Sequence, residues 1–338
     1  MRDASLTLEA LWVAACPDEA QKFFNFLTRT ATTQIRRGAE LQIMYGVAGE
    51  YALHEHNMDH LSGWRGSRPV RVGNAAWKQR QLDVYGELMA AVHRLRDYLE
   101  DMGAPSREFL IRVADAAADR WKQKDRGIWE IRGPERHFLH SKLMCWTALD
   151  RALDLVDILD AEDRISSWRN ARKEVRMAIL KQGWSDEAGY FRQAFDNDEL
   201  DASSLMIPIV GFLDGDDPRV RSTVEAVGDH LTSENGLVFR YRNADHLGGR
   251  EGAFLLCTFW YAHALALTGE VEQAREVLTS TSRFANDLGL MAEEVDPHTG
   301  DLLGNFPQAF SHIGLINAAW AIAEASGKNA GGDRPAAG

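Results

Sequence analysis

Helical segments in this 338-residue chain are joined by connections that alternate strictly between a few residues and a long stretch, and no other feature limits the possible folds as tightly. The helices are read from apolar spacing. Leu82, Tyr85, Met89, Val92, Leu95 and Leu99 recur at steps of three and four, so they share one stripe of a helix. The same reading predicts helices over 3–15, 17–31, 79–101, 105–122, 138–159, 162–182, 199–213, 216–231, 251–267, 270–286 and 306–327, with no long strand. Short links fall near 16, 102–104, 160–161, 214–215 and 268–269, whereas 32–78, 123–137, 183–198, 232–250 and 287–305 are long. Each short link makes an antiparallel hairpin, so all five long loops emerge at one end of the array.

An open solenoid and a closed double ring both satisfy this alternation. Closure is favoured because 251–267 and 306–320 are apolar around most of their circumference, and such helices are buried all round. The expected fold class is therefore all-α, a toroid of helical hairpins. Six hairpins need twelve helices against the eleven read, so the first is expected to be missing. Residues 1–327 form one domain in this reading, and the Gly/Ala/Pro-rich segment 328–338 forms a disordered tail.

Charge narrows the partners. Lys plus Arg at 38 against Asp plus Glu at 50 gives −12, a surface that repels phosphate backbones and anionic bilayers, so neither nucleic acid nor membrane is expected. No cationic segment precedes an apolar run, which makes the cytoplasm the default location. Cys16, Cys145 and Cys257 are far apart, and the last two sit in apolar helical contexts as core thiols. His54, Glu55, His56, Asp59 and His60 crowd one polar loop, but solvated side chains are the expectation there, and neither metal nor cofactor is assigned. G-x-S-x-G, P-loop and G-x-G-x-x-G sequences do not occur. The sequence assigns no oligomeric state.

Long loops in a compact domain usually carry function. These hold Trp64, Trp77, Trp129 with Glu130, Trp184, Arg240 with Tyr241, and Glu293 with Glu294. Aromatic faces beside acids and guanidinium groups suit a neutral polyhydroxylated ligand, a small carbohydrate. Hydrolysis of a glycosidic bond needs one protonated and one ionised carboxyl group. Glu130, flanked by Ile128, Trp129 and Ile131, is the acid candidate and Glu293 the base candidate.

Several segments carry a family resemblance: RDASLTLEAL (2–11), GSRPVRVGNAA (66–76), QLDVYGEL (81–88), DRGIWEIRGPERHFLHSKLMCWTALDRA (125–152), EGAFLLCTFW (251–260) and EEVDPHTGDLLGNFPQAFSH (293–312). Together they resemble the catalytic domain of glycoside hydrolase family 15, in its bacterial branch of glucoamylase-like, glucodextranase and trehalase enzymes. The resemblance implies an (α/α)6 barrel and inverting, exo-acting hydrolysis of α-glucosides that releases β-glucose. It also implies Glu130 as general acid, Glu293 as general base, Arg2 and Asp3 as the pair that grips the terminal glucose, and Trp64, Trp129, Arg240 and Tyr241 as substrate-binding residues.

Two departures qualify what is carried over. Ile131 stands where fungal glucoamylases have a second Glu, and Gly304 where they have a serine, so their subsite contacts are not assumed. Bacterial members also carry an N-terminal β-sandwich, a first barrel helix and the run W-D-Y-R-Y-C-W-L-R-D, inside which this chain starts. A truncated, catalytically incompetent fragment or a carbohydrate-binding toroid is therefore the alternative expectation. The choice among trehalose, maltooligosaccharide and dextran-type substrates stays open.

Overall fold

The computed structural model describes residues 1–35, 41–98, 102–131, 133–242 and 252–327. The expected tail at 328–338 lies outside the described residues. The helices are α1 (Arg2–Val13), α2 (Pro17–Ile35), α3 (Asp83–Arg94), α4 (Ala104–Arg120), α5 (Leu139–Asp154), α6 (Val156–Leu159), α7 (Ile165–Ala178), α8 (Met206–Ile209), α9 (Pro218–His230), α10 (Leu255–Leu267), α11 (Val271–Ser282) and α12 (Ala309–Ala325). Strands are two residues long: β1 (His56–Asn57) pairs with β2 (Arg71–Val72), and β3 (Trp184–Ser185) with β4 (Tyr190–Phe191). The third sheet has the order β5 (Ala253–Phe254), β6 (Glu294–Val295), β7 (Leu302–Leu303), all antiparallel.

The helices that follow long loops make the inner ring. α1 packs on α3, α3 on α5, α5 on the 3-10 turn Ala202–Leu205 that leads into α8, that turn and α8 on α10, α10 on α12, and α12 back on α1. The ring is closed, but of the two helices expected to be buried all round only α10 is: α12 buries Ser311, Ile313, Gly314, Ala318, Ala321 and Ile322 and leaves Ala309 and Ala319 exposed. Every residue of α5 from Leu139 to Leu149 is buried, and α10 is buried from Leu255 to Ala262. Outside it, α2 packs on α1 and α4, α7 on α4 and α5, α9 on α10, and α11 on α10 and α12, each burying one face. Leu6, Ala10 and Ile313 seal the contact between α1 and α12. Cys145 and Cys257 are wholly buried, as core thiols should be.

Element boundaries differ from the periodic reading where polar side chains take over the backbone. The helix expected from 79 starts only at Asp83: a 3-10 turn at Ala75–Lys78 lies ahead of it and Gln79 is extended. The backbone N–H of Leu82 donates to buried Asp125, outside any helical ladder. The expected helix over 199–213 is reduced to the turn Ala202–Leu205, capped by the Asp201 carboxylate on the Ser203 N–H, and the short α8, which stops before Gly211 at φ +72°. The rod over 138–159 breaks at Leu155, between α5 and α6. No helix among the described residues is long and apolar enough to cross a membrane.

Candidate active site

Arg2, Asp3 and Glu130 line one cavity of about 430 Å³ together with Tyr45, Asn74 and Gln81. Three separate stretches of sequence therefore meet at one mouth of the ring: the start of α1, the segment ahead of α3, and the loop between α4 and α5. Arg2 is anchored from below. Its Nη1 donates to Asp83 Oδ2 at 2.8 Å and to Gln81 Oε1 at 3.1 Å, and Asp83 is wholly buried at the first turn of α3. Burial alone would lower the arginine pKa, but the Asp83 charge overrides it and keeps the guanidinium firmly protonated.

Glu130 sits at φ +55°, a left-handed conformation that an L side chain adopts at a cost of order 1 kcal/mol or more, and such outliers gather at functional sites. Two side chains hold it there. Gln79 Nε2 donates to the Glu130 backbone carbonyl at 3.3 Å, and Asn74 Nδ2 approaches the carboxylate Oε2 at 3.4 Å. Gln79 Oε1 in turn accepts from Gln81 Nε2 at 3.1 Å. Since Arg2 can only donate, it fixes Gln81 with its oxygen toward the guanidinium, Gln81 fixes Gln79, and the amide series ends on the Glu130 carbonyl.

Beside Glu130 the Trp129 indole is locked in place. Its Nε1 donates to both oxygens of buried Asp201 at 3.0 Å, and its ring lies 5.8 Å from Phe254 and 6.1 Å from Trp260. The Arg240 guanidinium covers three rings, those of Trp129, Tyr241 and Phe254, at 5.6, 5.4 and 4.9 Å. The Arg240 carbonyl also accepts from the N–H of Ala202 at 2.8 Å, which ties this loop to the start of the inner element. Tyr241 is buried, so of this pair Arg240 presents the more accessible group.

Glu293 lies next to the same aromatic contact. It immediately precedes β6, its carbonyl accepts from the N–H of Leu255 at 3.2 Å, and Phe254 is paired in register with Glu294. Glu130 thus directly follows one ring of the Trp129–Phe254 contact in the chain, and the backbone of Glu293 is bonded to the residue that follows the other. Asn305 donates both its backbone N–H and its side-chain Nδ2 to Glu293 Oε2, each at 3.0 Å, while among the described residues Oε1 takes no such bond. Gly304 makes this possible: φ is +71° there, and a Cβ would lie 2.7 Å from Glu293 Oε2.

Trp64 stands apart from the cavity wall. It is 76% exposed on a 3-10 turn, and its neighbour Arg65 pairs with Asp301 at 3.1 Å, which draws the turn to the β6–β7 hairpin that follows Glu293. Among the described residues no group of His, Cys, Asp and Glu is arranged to hold a metal ion; His54 instead meets the Trp77 ring edge-on at 5.3 Å. The sequence reading missed Asn74, Gln79, Gln81, Asp83, Asp201 and Asn305. The available signal was a polar residue inside a motif block, Gln81 in QLDVYGEL, on the face that helical periodicity assigns to the core; Asp83 falls on the opposite face and carried no such signal.

A closed inner ring of helices with a second layer of helices outside it defines an (α/α)6 barrel. The fold matches the glucoamylase from Saccharomycopsis fibuligera with a TM-score of 0.70 at 14% identity, covering 96% of this chain and 86% of that one. Residues 1–320 match the model of Glycosyl hydrolases family 15, and the chain belongs to that family. It is 42% identical over 324 residues to a trehalase of Mycolicibacterium smegmatis, spanning 94% of this chain and 48% of the relative. A trehalase of Mycobacterium tuberculosis is 41% identical over 321 residues, spanning 94% and 47%. The chain therefore spans about half the length of the curated relatives it matches.

Proposed function

We propose that this chain is a glycoside hydrolase that cleaves α-glucosidic bonds from the non-reducing end with inversion, releasing β-glucose, and that trehalose is its substrate. Family membership and the names of the relatives support the reaction class and the substrate. What supports the mechanism is that, among the described residues, the Asn74 contact to Glu130 and both Asn305 bonds to Glu293 are directed to Oε2, which leaves Oε1 of each carboxyl group for chemistry.

In this mechanism Glu130 protonates the glycosidic oxygen while Glu293 takes a proton from a water that attacks the anomeric carbon from the opposite face. The transition state is oxocarbenium-like, and the two carboxyl groups stand about 6.5–9.5 Å apart to admit the water. Arg2 and Asp3 grip the hydroxyls of the terminal glucose. Trp129 with Arg240 on its face, Tyr241 beneath, and Trp64 at the rim bound the sugar site. The ligand is a small neutral carbohydrate, and no cofactor takes part.

Assays of glucose release from trehalose, maltose and isomaltose test the reading. Trehalose should be turned over, and Glu130→Gln should remove nearly all of that turnover while sparing a glucoside with a good leaving group. Equal losses on both substrates would contradict the acid assignment. Absence of glucose release from every substrate would contradict the reaction class for this chain.

A further inference from the structure

We propose that Asn74 is a positioning residue for the general acid, one that selects the Glu130 oxygen carrying the transferable proton and sets the pH above which the acid fails. The inference rests on the reading of Glu130 as the acid.

Asn74 caps the 3-10 turn Ala75–Lys78, and its Oδ1 accepts the backbone N–H of Ala76 at 2.8 Å. A backbone N–H can only donate, so the amide oxygen has no freedom to turn away, and Nδ2 is left pointing into the cavity. There it meets Glu130 Oε2 at 3.4 Å, a long contact of the kind that tightens when substrate closes a site. A donor facing Oε2 leaves that oxygen only the accepting role. The proton of the acid form therefore resides on Oε1, and the cap dictates which edge of the carboxyl group faces the scissile oxygen.

In general a donor beside a carboxylate favours its ionised form, and a like charge in the donor's place favours the protonated form. The charged and titratable groups around Glu130 are Arg2 and Asp3 across the cavity, the Tyr45 phenol beside them, Glu55 (whose Oε2 accepts the Ala75 N–H at 3.2 Å), Arg240 behind the Trp129 ring, and Glu293 beyond Phe254. Asn74 is the neutral member of this group that contacts the carboxylate, so changing it alters one donor without removing a charge partner.

The test is kcat/KM on trehalose as a function of pH for the wild type, Asn74→Asp, Asn74→Ser and Glu130→Gln, with thermal unfolding of each. Aspartate and serine both cap a turn, so the fold is retained. The acid must be protonated to act, so its pKa governs the basic limb. Asn74→Asp replaces the donor by a like charge and should move that limb upward by about one pH unit or more. Asn74→Ser, which only removes the donor, should move it upward by less, and the acidic limb should stay in place in both. A purely structural role would lower the whole profile and leave its limbs where they are. Unmoved basic limbs in folded Asn74→Asp or Asn74→Ser, with Glu130→Gln inactive, would overturn the role of Asn74 and leave the acid assignment standing. Wild-type kcat/KM in Glu130→Gln would overturn both.

Discussion

Gln79 donates its side-chain amide to the backbone carbonyl of Glu130 at 3.3 Å, and Gln81 and Arg2 follow in series behind it. The residue assigned to grip the sugar and the residue assigned to protonate it are thereby held by one set of oriented amides. Gln79→Glu keeps the size but cannot donate to the carbonyl, so Glu130 is released from its left-handed backbone position. The expected outcome is a fall of about tenfold in kcat with KM changed much less, since small misplacements of a catalytic group cost on this scale. Steady-state kinetics check it, and an unchanged kcat would disprove the coupling.

Gly304 faces the other carboxylate. A methyl group at this position would stand 2.7 Å from Glu293 Oε2, on a backbone at φ +71°. Gly304→Ala should displace Glu293 from the Asn305 donors and lower kcat at least tenfold, with a stability loss of about 1–2 kcal/mol from the forced backbone. The pair of measurements is kcat and the urea midpoint; full activity would show that Glu293 does not act from this position.

Asp201 fastens Trp129. Its carboxylate accepts from the indole, from Gln193 Nε2 at 2.9 Å and from the N–H of Ser203 at 2.7 Å, all inside the protein. Asp201→Ala orphans these donors and should destabilise the fold by about 2–4 kcal/mol, and it should weaken substrate binding by freeing the indole. Chemical denaturation and KM report the two effects. A loss below 1 kcal/mol would mean that the donors find other partners.

Helix α10 was legible because burial on all sides leaves a nearly unbroken apolar run, and that run, added to a loop-length alternation that also fits an open solenoid, favoured a closed ring. Glu130 and Glu293 were singled out as candidates because they sit within motifs. The parts that were not legible rest on contacts between distant segments: Asn74 with Glu130, Asp201 with Trp129, Asp83 with Arg2. Nothing local to Asp201 or Asn305 distinguishes a side chain that fastens the site from an ordinary capping or loop residue. The late start of α3 has the same origin, since Gln79 and Gln81 bond to Glu130 and Arg2 where a helical turn was expected.

Buried Asp125 gives a pH dependence of stability. It accepts from the Leu82 N–H at 3.0 Å and the Ser141 hydroxyl at 2.7 Å, but burial outweighs both and pushes its pKa up from 3.8 to about 6. Between these values the folded state binds more protons than the unfolded one, so stability falls as pH rises. The total over that window is about 3 kcal/mol. Nearby His140, lowered by burial to about 4, works in the opposite sense, gaining stability as pH rises from 4 toward its ordinary value of 6.5. The wild type and Asp125→Asn share that second slope. The difference in unfolding free energy, wild type minus variant, should therefore fall by about 3 kcal/mol from pH 4 to pH 6.5. A flat difference would show that Asp125 titrates alike in both states.

The central claim is that Glu130 and Glu293 act on opposite faces of the bond, and proton NMR of the first glucose released from trehalose tests it most directly. Attack by water from the opposite face yields one β-glucose from the cleaved residue and one α-glucose from the departing one, so equal amounts of the two anomers should appear before mutarotation. Release of α-glucose alone would mean retention of configuration, and the two glutamates could not have the roles given to them here.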